Sequence, residues 1–152
     1  MPPARLPTFA ADLTAEQVKQ ILPTSERESS AALAGKDLSR LDLSQQDFRR
    51  ANLVRTSIFA SKLVQCDFSR ANISGANLNG TWLMGTDFSD ADLSGATLMS
   101  VVILGGKVTA RPNFRNAILE EADINGTIFK GVRGLDTVKG LDRAAHRDSA
   151  KF

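Results

Sequence analysis

The sequence predicts a solenoid, a rod wound from short tandem units, and three observations carry that prediction. Stepping by five from Leu33, the chain reads Leu38, Leu43, Phe48, Leu53, Ile58 and onward to Ile103 and Val108, each a large aliphatic residue or Phe. With 42% hydrophobic content, sixteen such hits in a row arise by chance about once in a million, so the beat is an internal repeat. Second, the residue two places before each centre is mostly small, as in Ala51, Thr56, Ser61, Cys66, Ala71 and Ala76. Third, Phe48, Phe68 and Phe88 recur at a spacing of twenty, with Asp47, Asp67 and Asp87 beside them and Ala51, Ala71 and Ala91 in parallel, which points to four units per turn. A helix repeats near 3.6 and a strand near 2, so neither alone explains a period of five.

Stretches such as "ANISGANLNG" and "ADLSGATL" follow an A(D/N)LxX pattern, and through them the chain resembles the pentapeptide repeat family over about residues 31–131. The resemblance implies an all-β fold, a right-handed quadrilateral parallel β-helix. Each pentapeptide is then one side of a square, with the centre and its preceding small residue pointing inward and the other three positions facing water. Coils stack about 4.8 Å apart, giving about five coils and a rod of about 24 Å.

The beat is interrupted at "GGKVTARPNF", where the next centre after Val108 is Phe114. This predicts a one-residue insertion at a bulged corner, suited to Gly105, Gly106 and Pro112. The later centres are Leu119, Ile124 and Phe129.

Open β-helix ends invite stacking of further chains, so caps are expected. "LTAEQVKQIL" predicts an N-terminal capping α-helix: Thr14 and Gln17 form a capping box, Leu13 and Val18 a hydrophobic staple, and Pro23 a stop. After Phe129 the five-beat is lost and charge rises, which predicts a short helical C-terminal cap and a loose tail. The expected organisation is a tail and capping helix at 1–30, a β-helix at 31–131, and a cap and tail at 132–152.

Nothing in the chain converges on catalysis, so it does not read as an enzyme. His146 is the only histidine and lies in a charged tail, and the single cysteine, Cys66, falls in an inward slot suited to packing. Walker loops, dinucleotide fingerprints and metal-spaced clusters are absent from the sequence, and no cofactor, metal or small-molecule substrate is expected. Nineteen basic and seventeen acidic residues are too balanced to advertise a nucleic-acid binder, and no apolar run approaches a membrane span. One cysteine and no secretory h-region fit a cytoplasmic protein. Membership of the family also suggests a bacterial origin.

Two surface features stand out. Arg49, Arg50, Arg55 and Arg70 concentrate positive charge near one edge, where pairing with the Asp column and with Asp90 is the simplest expectation. Outward slots on the third side hold Val64, Trp82, Met84, Val102 and Leu104, joined across a corner by Phe59 and Met99. Such a patch marks contact with a protein, either a second copy or another chain, unless the chain's own tail around Phe9 covers it. The resemblance supplies an alternative, since some family members protect or inhibit DNA gyrase with a long acidic rod imitating duplex DNA. That role needs negative faces, whereas residues 31–131 are nearly charge-balanced and the rod is short.

Overall fold

A computed structural model describes residues 11–22, 33–103 and 110–152. Each five-residue side contributes one residue to a parallel backbone ladder. One column runs Asp37, Ser57, Asn77, Thr97, Asp123 and Ala145, and another runs Asp47, Asp67, Asp87, Asn113 and Arg133. Numbering a side from its small residue, as in Ala51-Asn52-Leu53-Val54-Arg55, position two forms the bridge. The N–H of position three bonds to the next coil, as Leu53 N–H does to the Asn72 carbonyl at 2.7 Å. Positions four and five turn the corner, and position five adopts positive φ throughout, near 60° at Arg50 and Arg70.

The interior holds only positions one and three. Phe48, Phe68, Phe88 and Phe114 stack up one column with ring centroids 4.5, 5.3 and 5.0 Å apart. Inward hydroxyls and the one thiol avoid unsatisfied burial by donating to a carbonyl, Thr81 Oγ1 to that of Leu78 in its own coil at 2.7 Å and the others to one in the coil below. Thr56 Oγ1 meets the Leu33 carbonyl at 2.8 Å, Ser61 Oγ that of Leu38 at 2.7 Å, and Cys66 Sγ that of Leu43 at 2.9 Å. Among the described residues every buried side-chain nitrogen or oxygen has a partner, as close packing in low dielectric demands.

The interruption after Ile103 is larger than one residue. Asp87 pairs with Asn113, Asp92 with Ile118 and Thr97 with Asp123, a step of twenty-six where twenty is the rule. Six residues are therefore inserted, and Phe114 stacks on Phe88. A single extra residue would have rotated every later side by one corner and broken that column. The residues assigned to the bulge and the centre at Val108 lie outside the described residues, apart from Pro112, whose carbonyl accepts from Arg133 N–H at 3.0 Å.

The helix α1, Ala15–Ile21, forms with both bonds of the capping box: Gln17 N–H to Thr14 Oγ1 at 3.1 Å and Thr14 N–H to Gln17 Oε1 at 2.8 Å. Val18 is buried in the same cluster as the solenoid interior. Asp12 joins the first side, its N–H on the Asp37 carbonyl at 2.7 Å and its carboxylate on Asp37 N–H at 2.8 Å. Pro23, expected to stop the helix, lies outside the described residues.

The C-terminal segment is neither a helical cap nor a loose tail. Arg133, Lys139, Ala145 and Lys151 pair with Asn113, Ile118, Asp123 and Ile128, so the ladder continues with sides six residues long. The extra residue is taken up by single 3₁₀ turns at Leu135–Thr137, Leu141–Arg143 and Arg147–Ser149. Each turn starts from a left-handed residue: Gly134, Gly140 and His146, with φ of 77°, 72° and 56°. A second repeat underlies this, G-L-D-T-V-K, G-L-D-R-A-A, H-R-D-S-A-K, whose period of six is out of step with the five-residue beat. Val138, Ala144 and Ala150 take the inward slot, small enough for a closing coil.

At Gly134 a Cβ would lie 2.6 Å from the Arg115 backbone, whereas at Gly95 it would meet nothing within 4 Å. Both have positive φ. Gly95→Ala is expected to cost about 1 kcal/mol for the left-handed backbone, and Gly134→Ala about 2 to 4 kcal/mol once the clash is added. Chemical denaturation of the two variants beside the native protein measures the difference.

Candidate functional site

Position two usually holds Asp or Asn because its side chain accepts the N–H two residues on and closes the corner. Asp47 bonds Arg49 N–H at 3.0 Å, Asp67 bonds Ser69 N–H at 2.9 Å and Asp87 bonds Ser89 N–H at 2.8 Å. The Asp column is therefore turn chemistry, as the repeat period implied. The Ser39 side chain and then its N–H hold Asp37 below the usual carboxylate range, and Ser44 does the same for Asp42. For Asp47 the larger cause is the Arg49 guanidinium, with Nη2 2.6 Å from the carboxylate.

Trp82 has no oxygen with which to close its corner, so it stands where the repeat chemistry would select Asp or Asn. It sits in the column Lys62–Trp82–Val102, with Lys62 Nζ 5.1 Å from its ring centre. Trp82 is 43% and Val102 37% exposed, side by side on adjacent coils. Phe59, Val64 and Met99 flank them half-buried; the Arg40 guanidinium lies 5.5 Å from the Phe59 ring and Met99 N–H bonds Asn79 Oδ1 at 2.9 Å.

Met84 does not join this surface. It occupies an outward register position but is only 5% exposed, and an unbranched thioether can lie along a face without projecting from it. Leu104 lies outside the described residues, as does Phe9 of the segment suggested as a cover. Two exposed apolar residues were missed: Ile128 at 48%, also at position two, and Phe152 at 50%, stacked 5.5 Å from Phe129. Ile128 was legible as another departure from Asp or Asn, whereas Phe152 required the six-residue repeat.

The arginine edge also differs from expectation. Only Arg49 is paired, with Asp47 and, at 3.8 Å, with Asp67. Arg50, Arg55 and Arg70 make no ion pair among the described residues, and the Asp90 carboxylate accepts from Asn116 Nδ2 at 3.1 Å. His146 is tied to the preceding coil, Nδ1 to Asp123 Oδ1 at 2.9 Å. No metal-binding cluster occurs among the described residues, and no helix among them is long and apolar enough to cross a membrane.

A parallel β-solenoid whose corners are closed by Asp and Asn and whose departures from that rule lie on its surface defines the class. The sequence matches the family of pentapeptide repeats, with eight copies over residues 59–90 and 66–103, so this part of the chain is built of pentapeptide repeats. A pentapeptide repeat protein from the cyanobacterium Cyanothece 51142 has the same fold, with a TM-score of 0.66 at 23% identity over 78% of this chain and 89% of that one. HetL, a pentapeptide repeat protein involved in heterocyst differentiation regulation from the cyanobacterium Nostoc sp. strain PCC 7120, is 28% identical with a TM-score of 0.49. That match covers 78% of this chain and 52% of HetL, so the chain spans about half of HetL's length. QnrB1, a plasmid-mediated fluoroquinolone resistance protein, gives 16% identity and a TM-score of 0.43 over 78% of this chain and 63% of its own. No curated protein matches the sequence.

Burial pushes the Cys66 thiol up to about 12, so it stays protonated at neutral pH. It is expected not to react with a thiol-specific disulfide reagent at pH 8 in the native protein and to react fully in denaturant, which absorbance reads directly. Asp37, Asp42 and Asp47 titrate below the ordinary aspartate value of 3.8 in the folded chain. Their contribution is complete above that value and is lost as pH falls through the lowered folded values. Melting temperature should therefore hold as pH drops from 6 toward 4 and decline below it.

Proposed function

We propose that this chain is a non-catalytic scaffold that binds protein through the face centred on Trp82 and Val102, with Phe59, Val64 and Met99 as its flanks. The observation that carries this reading is Trp82 itself, the one tryptophan of the chain, 43% exposed at a position where Asp or Asn would close the corner. Giving up that bond costs about 1 kcal/mol, and Trp beside an exposed aliphatic residue is the composition of an interface centre. The DNA-mimic alternative gains no support from the surface: Arg50, Arg55 and Arg70 lack carboxylate partners among the described residues, the reverse of a phosphate-like face.

Trp82→Asp is the informative variant, because it restores the repeat's own corner bond while removing the anchor. Light scattering on a size-exclusion column is expected to show self-association of the native chain and a folded monomer for Trp82→Asp, with stability equal or up to about 1 kcal/mol higher. If the native chain is monomeric and Trp82 fluorescence resists acrylamide quenching, the face is covered by the chain itself and the proposal fails.

A further inference from the structure

Two of the unpaired arginines, Arg50 and Arg70, border a groove of about 940 Å³ between the last turn of α1, at Lys19 and Leu22, and the corner column that they form with Asp90. Backbone bonds fix that column: Arg50 N–H to the Ser69 carbonyl at 3.1 Å and Arg70 N–H to that of Ser89 at 2.9 Å. The two guanidinium-bearing residues therefore rise from the same turn position on adjacent coils, about 4.8 Å apart at the backbone. Both occupy φ of 60°, where glycine or asparagine is the less strained choice. Like charges at that spacing repel, and among the described residues no carboxylate separates them.

Charge and size specify what would. Arg49 in the groove wall is neutralised by Asp47, leaving Lys19, Arg50 and Arg70 against Asp90, a surplus of two positive charges. The volume falls within the range of about 300 to 1,000 Å³ typical of small-molecule sites. Ser69 and Ser89 line the wall and can add hydroxyl donors to the guanidinium forks. A phosphate monoester carries about −1.5 to −2 at neutral pH and presents three acceptor oxygens. A single carboxylate would leave one arginine unmatched.

We propose that this groove is a binding site for a phosphorylated small molecule, its phosphate bridging Arg50 and Arg70 with Lys19 of α1 closing over it. The site is independent of the Trp82 face, which stands on another column, and either can hold without the other.

The backbone makes the test clean, since glycine relieves the positive φ at either arginine. Arg50→Gly and Arg70→Gly should fold as well as the native chain, and Arg40→Gly, at the same turn position with φ of 60° but outside the groove, serves as control. Calorimetric titration with inorganic phosphate at constant ionic strength is expected to give saturable binding for the native chain and for Arg40→Gly, and binding about tenfold or more weaker for each groove variant. Acetate should bind at least tenfold more weakly than phosphate. The proposal is overturned by absence of saturation up to about 10 mM phosphate, by equal affinity in all four proteins, or by acetate binding as tightly as phosphate.

Discussion

The constraint on which the rest depends is the parallel ladder from one coil to the next. Each side bonds to both neighbouring coils, the N–H of position two donating to the coil before, as Asn72 does to the Ala51 carbonyl, and those of positions three and five to the coil after, as Ile73 does to the Asp92 carbonyl, so no side is stable alone. Because the bonds link equivalent positions, each residue is stacked on the one at the same position of the next coil, often of its own kind. Phenylalanine rings pile along the shaft, carboxylates line up at the corners, and arginines are brought over arginines. Aromatic stacking and turn bonds then add to a register that the backbone already requires.

The same constraint governs the irregularities. The six extra residues between Ile103 and Phe114 are tolerated because they leave the columns on either side aligned, with Asp87 over Asn113 and Thr97 over Asp123. The closing coil stretches each side to six and still keeps its rungs, at Arg133, Lys139, Ala145 and Lys151, by folding the surplus into 3₁₀ turns. His146 fills at one corner the role glycine has at two others, and its ring is held by Asp123. The ladder therefore tolerates changes in side length but not shifts in register.

Function has room only where the ladder is indifferent, at the outward positions two, four and five. There the least costly choices are Asp or Asn at position two, which most sides take, and glycine or asparagine at five, which fewer than half take. Among the departures, Trp82 and Val102 lie on adjacent coils at the first position and Arg50 and Arg70 at the second. Stacking converts these two departures into pairs, an apolar pair on one face and a cationic pair on a corner, which gives a one-dimensional fold two chemically distinct surfaces.

The five-residue period by itself determined the inward set, the twenty-residue column of Phe48, Phe68 and Phe88 and the outward position of Trp82, and the Thr14–Gln17 spacing determined the capping box of α1, because each depends only on spacing along the chain. Side-chain partnership was not legible in the same way. Met84 is buried at an outward position, Arg70 is left unpaired beside Asp90, and Phe114 skips a side to reach Phe88. These outcomes depend on which coil lies above and on the path a flexible side chain takes across the face. An insertion of one and an insertion of six resume the same five-beat, and only stacking in three dimensions distinguishes them.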